Sequence, residues 1–292
     1  MKNHKVLPDW RNITLPEGAV TAQTMLMDEE LRMLYALGRD YYGGWGDIVD
    51  AGCFLGGSTQ AMARGVLDNY LVHKNPRSKV IHSYDLYVVE PWTIGIYFPE
   101  GTPLGTSFED IYRENIKDFS TLVEVNPGDV MVRKWPREKP IEILFIDLAK
   151  HWVVSDYMVR EFFGSLVPGR SLVIQQDYIY HTCTGWLPVT MEYFSDYFEL
   201  VDHTYRNSAV FLNTKKIPEE LLNQNVIDSL TVEQIADLAQ RAIARFEPEY
   251  ADVLRESTAE FIEVYGSHLK EEALLKRKQE ADAKISVASK SV

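Results

Sequence analysis

Three features of the 292-residue chain predict a doubly wound α/β fold. Between residues 44 and 213, short apolar runs alternate with segments of helical period, the pattern of successive βαβ units. One run, Ile143-Leu144-Phe145-Ile146, is continuously apolar, as a strand buried on both faces of a parallel sheet must be. The segment DIVDAGCFLGGSTQAMA, residues 47–63, passes from an apolar run through a glycine-punctuated turn into a helical pattern. The first strand-to-helix turn of such a sheet has this form.

The elements follow in order. Residues 1–25 are polar and proline-containing and are expected to form an extended arm or loop. Residues 27–42 carry apolar side chains at helical spacing, with Asp28, Glu29 and Glu30 in the first turn, where acids suit the helix dipole. DIVDAG is the first strand and GGSTQAMARGVLDNYLV the helix after it. KVIHSYDLYV, β-branched and aromatic, is the second strand. Residues 90–107 hold three Pro and three Gly and form a loop. FEDIYRENIKDF is a helix, TLVEVNPGD a strand ending in a turn, IEILFID an apolar strand and SDYMVREFFGSL a helix. VPGRSLVIQQDY supplies a turn and a further strand, and WLPVTMEYFSDYF a helix. FELVDHTYRNSAVFLN reads as a closing hairpin that turns near residues 205–208. The predicted core is therefore a Rossmann-like, mainly parallel sheet with an antiparallel C-terminal hairpin. After Pro218 the pattern is helical throughout, with Thr231 and Gln234 spaced as a capping box. The last ten residues are small and polar and are expected to fray. The organisation predicted is an arm and helix (1–43), an α/β domain (44–213) and a helical C-terminal extension (214–292).

Composition removes several function classes. The net charge of −13 gives no general attraction for nucleic acid or an anionic membrane. Two cysteines, Cys53 and Cys183, make no disulfide framework and fit a reducing, cytoplasmic setting. No run approaches the 18 or so apolar residues of a membrane span. Asn12-Ile13-Thr14 matches a glycosylation sequon, but no secretory signal accompanies it.

The glycine turn carries an unusual charge. Gly52, Gly56 and Gly57 let the backbone turn tightly and a ligand approach closely. Ser58 or Thr59 is positioned to cap the following helix. A dinucleotide site prefers G-x-G-x-x-G, with pyrophosphate at the helix N-terminus. Here the spacing is G-x-x-x-G-G, and Asp50 precedes it. That acid repels phosphate and suits an amino group. Asp85 ends the second strand, where ribose hydroxyls are held in such folds. Gly128 and Asp129 follow the third strand, where an acid can accept from an adenine amine.

Taken together, the acid before GGST, the second-strand Asp, the Gly-Asp after strand three and Phe145-Ile146-Asp147 resemble the class I S-adenosylmethionine-dependent methyltransferases. VDAGCFLGGST is closest to their small-molecule O-methyltransferases acting on sugars and antibiotics. The resemblance covers residues 44–213. It implies that Asp50, Gly52 and Gly56 surround the methionine part of S-adenosyl-L-methionine, that Asp85 binds the ribose and that Asp129 with Val130 flanks the adenine. Phe54, Gly57, Ser58, Thr59 and Asp147 are counted with the same cofactor site.

The chemistry is expected after strands four and five, in DLAKHW and QQDYIYH. Asp147, Lys150, His151, Gln176, Asp177, Tyr178 and His181 are the polar candidates there. Methyl transfer needs an aligned nucleophile and a group that takes its proton. His151, Asp147, Asp177 and His181 are the catalytic candidates, with His151 the first choice as base. Some relatives bind a divalent metal through acids at positions corresponding to Asp147 and Asp177. They often read FIDGDHSY, whereas here Leu148-Ala149-Lys150 replaces the Gly-Asp-His portion. A lysine competes with a cation, so no metal ligand is assigned. Tyr178 and Trp186 are candidates for an acceptor pocket, although aromatics here also suit the core. The loop 90–107 is expected to serve as lid or acceptor wall through Trp92, Tyr97 and Phe98.

The leading expectation is O-methylation of a small polar acceptor, a sugar or natural product, with a homodimer through the helical tail. A second reading is a non-catalytic S-adenosylmethionine-fold protein whose tail mediates assembly. A third, a nicotinamide-dependent oxidoreductase, is opposed by Asp50 and the missing G-x-G-x-x-G.

Overall fold

A computed structural model describes residues 6–74, 77–180, 182 and 184–289. The strands β1 (Asp47–Ala51) and β4 (Ile141–Ile146) are buried along their whole length. They lie side by side at the centre of a seven-stranded sheet with spatial order β3-β2-β1-β4-β5-β7-β6. The rest of the parallel part is β2 (Ile81–Asp85), β3 (Val123–Pro127) and β5 (Leu172–Gln175). β6 (Phe198–His203) and β7 (Ala209–Asn213) form the predicted hairpin, with β7 antiparallel to β5. The two edge strands carry Glu124, Glu199 and Asp202, charges that discourage edge-to-edge pairing.

Alternation along the strands sorts side chains into two core layers. Ile48, Ile143, Phe145 and Ile174 face the layer of α1 (Asp28–Ala36) and α2 (Gly57–Leu67). Trp10, from the N-terminal arm, is fully buried in that layer. α1 continues as one wider turn through Tyr41. The helix expected over 56–72 breaks instead, because Asn69 donates to Gly38 O and Tyr42 O. It then caps a short α3 (Tyr70–His73) through Leu71 N. α4 (Glu109–Asn115) leads into β3.

Val49, Leu144, Ile146 and Val173 face the opposite layer. There α5 (Trp152–Phe162) and α6 (Trp186–Tyr193) cover the sheet. α7 (Glu219–Leu222), α8 (Val232–Ile243) and α9 (Pro248–Ser289) follow. Thr231 and Gln234 form the expected capping box of α8. Ile235, Leu238, Leu254, Phe261 and Tyr265 are buried in the same cluster as Phe162 and Val189. The extension thus spends much of its apolar stripe on its own sheet. α9 runs on to Ser289; residues 290–292, the end of the stretch expected to fray, lie outside the described residues. No helix among the described residues is long and apolar enough to cross a membrane.

At the N-terminal end of β1, buried Asp47 gathers three basic side chains. Arg77 Nη2 lies 2.5 Å from Oδ1, while Lys139 Nζ and His82 Nε2 lie 2.6 and 2.8 Å from Oδ2. Burial raises the Asp47 pKa, but the bonds from His82 and Lys139 outweigh it and hold the carboxyl below its ordinary value. A depressed acid stabilises the fold above its unfolded pKa of about 3.9 and loses that contribution as pH falls through the lower folded value. Asp47→Ala is expected to cost about 1.5–3 kcal/mol at pH 7, with Lys139 and Arg77 discounted for their exposure. The urea midpoint should drop at pH 7, and the gap to the unmodified chain should close as the solution is acidified.

Candidate functional site

β1 connects to β2 on one side and, through later elements, has β4 on the other. Strand order reverses there, so the carboxyl ends of β1 and β4 open into a crevice. Asp50 of β1, Asp85 of β2 and Asp147 after β4 stand at this edge, with Asp177 just beyond β5.

The backbone between β1 and α2 can be built only with glycine at its first turn. Gly52 has φ +98°, and a Cβ there would lie 2.7 Å from Leu148 N and 2.8 Å from Asp147 C. The turn is therefore pressed directly against the end of β4. Phe54 also takes a left-handed conformation, φ +46°, a strain of about 1–3 kcal/mol. That conformation aims its N–H at Asp85 Oδ2, 2.8 Å away. Its ring is clasped by Tyr97 and Phe108, with centroids at 5.0 and 5.5 Å, and by Trp92 at 6.1 Å. The loop 90–107 thus packs on the glycine turn through aromatic contacts.

Asp50 is fully buried. Its Oδ2 accepts from Ser58 Oγ at 3.0 Å and from Thr59 Oγ1 at 2.5 Å. Among the described residues, Oδ1 is buried with no partner. Burial raises the Asp50 pKa to about 7, against the lowering effect of the two hydroxyls. The expectation that Ser58 or Thr59 caps α2 is corrected: Gly56 is the N-cap, with no side-chain cap bond. A buried carboxylate needs donors more than the helix terminus does, and the first-turn N–H groups are left for solvent or ligand.

Asp85 accepts from Phe54 N and, through Oδ1, from Tyr87 N at 2.9 Å. Burial raises its pKa. Each of its oxygens keeps a second lone pair for a hydroxyl. Asp129 accepts from Met131 N at 2.8 Å and starts a short helical turn containing buried Val130.

At the other wall, Lys150 Nζ donates to Asp147 Oδ1 (2.7 Å), Gln176 Oε1 (2.6 Å) and Asp177 Oδ2 (2.6 Å). Burial raises Asp147 to about 6, with Lys150 pulling the other way. Burial also lowers Lys150, but Asp147 and Asp177 outweigh it and the net shift is upward, which keeps the ammonium charged. His151 stands apart from this cluster. It caps α5, its Nδ1 accepting from Val153 N at 3.2 Å, and its ring stacks on Trp152 at 4.0 Å. Burial and nearby His268 lower its pKa. His181 and Cys183 lie outside the described residues. Tyr178 and Trp186 are core: Tyr178 packs on Phe211 and Phe246, and Trp186 donates to Ala149 O.

One wall escaped the sequence reading. Residues 24–26 of the N-terminal arm lie over the turn, and with Gly52, Cys53, Phe54, Gly57, Ser58 and Asp147 they line a small cavity of about 10 Å³. A Cβ on Gly57 would lie 2.5 Å from Thr24 Cβ. Gln60 fastens the arm, its Oε1 accepting from Thr21 N and Ala22 N at 2.8 and 2.9 Å. Small-molecule sites occupy roughly 300–1,000 Å³, so a nucleoside enters only if the arm shifts. A larger groove of about 300 Å³ lies under residues 6–7 against β5, β6 and β7. Its titratable lining, Tyr41, Glu199 and Asp202, forms no cluster comparable with the one at the crevice. Among the described residues, no group of three or more His, Cys, Asp or Glu is arranged to hold a metal.

No protein-family model and no curated protein sequence matches the chain. Among solved structures it is similar to the O-methyltransferase NovP, at 19% identity over 67% of this chain and 84% of that one, with a TM-score of 0.50. Looser likenesses are CalS11, a TDP-rhamnose 3'-O-methyltransferase of calicheamicin biosynthesis, and a putative RNA methyltransferase from Pyrococcus horikoshii. CalS11 is 17% identical over 63% of this chain and 76% of that one, with a TM-score of 0.42. The second is 13% identical over 65% and 82%, with a TM-score of 0.39. The chain therefore has the fold of the class I S-adenosylmethionine-dependent methyltransferases.

Proposed function

We propose that the chain is an S-adenosylmethionine-dependent methyltransferase that methylates a hydroxyl of a small polar acceptor, such as a sugar or natural product. The observation that carries this reading is Asp50 Oδ1, a buried oxygen with no partner among the described residues, beside a glycine turn that Gly52 presses against Asp147. An orphan carboxylate oxygen is costly in a folded protein. An amino group, directly or through water, would satisfy it, where a pyrophosphate would be repelled. When bound, the cofactor supplies an electrophilic methyl group on a sulfonium, and its C–S electrons leave with the sulfur.

The chain's own residues do the rest. Asp85 would hold the ribose hydroxyls, and Asp129 with Val130 the adenine. Phe54 and the aromatic loop 90–107 exclude water from the turn. Asp147, held by Lys150 through Oδ1 and lining the cavity, would take the acceptor's proton on Oδ2 as the acceptor oxygen attacks the methyl carbon. This moves the base from His151, whose ring is engaged with Val153 N and Trp152, to the carboxylate that lines the cavity. Thr24–Leu26 would close the site after loading.

The test is turnover on an acceptor panel of sugars, polyols and phenols with labelled methyl donor. Label on an acceptor oxygen is the expected result. The alternative is a protein of this fold that binds the cofactor without chemistry. Binding without transfer to any acceptor would favour it, while transfer to nitrogen alone would overturn the assignment to a hydroxyl.

A further inference from the structure

Three acceptors from two strand ends converge on one ammonium. Lys150 Nζ meets Asp147 Oδ1, Gln176 Oε1 and Asp177 Oδ2 at 2.7, 2.6 and 2.6 Å. An ammonium has three N–H donors and no acceptor, so its capacity is filled.

The acceptors are themselves held in place. Asp177 sits in a left-handed conformation, φ +56°, rare for a non-glycine residue and stable only when its surroundings impose it. Its N–H donates to Asn207 Oδ1 at 3.2 Å, and its carbonyl accepts from Thr184 Oγ1 at 2.7 Å. Gln176 turns its amide nitrogen to Asp177 Oδ1 (2.6 Å) and Asn207 Oδ1 (3.2 Å), which leaves Oε1 for Lys150. Asn207 is anchored by buried Glu30 at 2.9 Å. The carboxylates are less than a fifth exposed, while the lysine side chain is about half exposed (48%).

A hard divalent ion between β4 and β5 would need these same oxygens, since it takes six or more oxygen ligands. We propose that Lys150 Nζ is the resident cation of this site. It fills the place between Asp147 and Asp177 that a divalent metal would require, so the chain acts without one. The fixed positive charge lets two carboxylates share a wall and engages Asp147 through Oδ1. Its catalytic consequence rests on the reading of this edge as a methyl-transfer site; the claim about the cation does not.

The test is a Mn²⁺ titration, by electron paramagnetic resonance and calorimetry, of the unmodified chain, Asp177→Asn, Lys150→Met and Lys150→Met/Asp177→Asn. The unmodified chain should show no Mn²⁺ site that Asp177→Asn removes. Lys150→Met frees three oxygens and should gain one, at least about tenfold tighter, or about 1.4 kcal/mol. The double variant should lose it again. Methyl transfer by the unmodified chain should survive a chelator.

An Asp177-dependent Mn²⁺ site in the unmodified chain would overturn the proposal. So would no gain in Lys150→Met, or loss of transfer with chelator. If Lys150→Met does not fold, Lys150→Gln takes its place, and the comparison of the unmodified chain with Asp177→Asn still decides. Failure to bind S-adenosylmethionine would sink the methyltransferase reading and leave the Mn²⁺ result standing.

Discussion

Asp50→Asn is expected to weaken S-adenosylmethionine binding by about 2–5 kcal/mol, at least about thirtyfold, because it removes the charge from a desolvated partner of the ligand. The substitution keeps the shape of the side chain and can keep the bonds from Ser58 and Thr59. Its effect on the ligand-free fold should have the opposite tendency. Burial lifts the Asp50 carboxyl to about 7, whereas the unfolded group ionises near 3.9. Below both values the group is neutral in either state and contributes nothing. As pH rises between them, the unfolded state gains by ionising and the fold does not, so stability falls across that window. Asn has no such titration. At pH 8 the variant should melt at the same temperature as the unmodified chain or higher, while binding cofactor far worse. Loss of binding together with a large drop in melting temperature would mean that Asp50 is structural.

Asp147→Asn is expected to lower kcat by roughly 10²–10⁴-fold, the usual worth of a general base. Cofactor affinity should change little, since Asp50 and Asp85 carry most of that contact in the proposed placement. The pH dependence follows from the same carboxyl. Burial raises Asp147 to about 6, Asp177 and Asp85 push in the same direction, and Lys150 opposes them. A base works when deprotonated, so kcat/KM of the unmodified enzyme should rise with pH through about 6. The Asn variant should lack that limb. A limb that persists in Asp147→Asn would move the base elsewhere, and His151→Gln would then be the variant to assay.

Much of the fold was legible because it depends on local pattern. The apolar runs of β1 and β4, the glycine turn and the Thr231–Gln234 capping box each announce themselves within a few residues. The parts of the site that were not legible depend on long-range placement. Lys150 could be read as a lysine near two acids. Its convergence with Gln176 and Asp177, 26 and 27 residues later, follows only from β5 lying beside β4. Glu30 looked like a first-turn acid serving a helix dipole. In the structure it reaches Asn207 and Ser208, far along the chain, and burial raises it to about 7. The arm over the glycine turn gave no signal, since Gln60 meets Thr21 and Ala22 largely through backbone N–H groups that any residue supplies, with one further bond to Thr21 Oγ1. Ser58 and Thr59 misled because hydroxyls at a helix start favour capping, and nothing local shows that a buried carboxylate outbids the N–H groups for them.

The central claim is that the crevice at β1 and β4 binds an amino-acid-bearing nucleoside through Asp50. Calorimetric titration of S-adenosylmethionine, S-adenosylhomocysteine and NAD against the purified chain tests it most directly. Saturable binding of both sulfur ligands at one site per chain, lost in Asp50→Asn, and no binding of NAD, is the predicted result. Binding of NAD with no binding of either sulfur ligand, or sulfur-ligand affinity unchanged in Asp50→Asn, would contradict it.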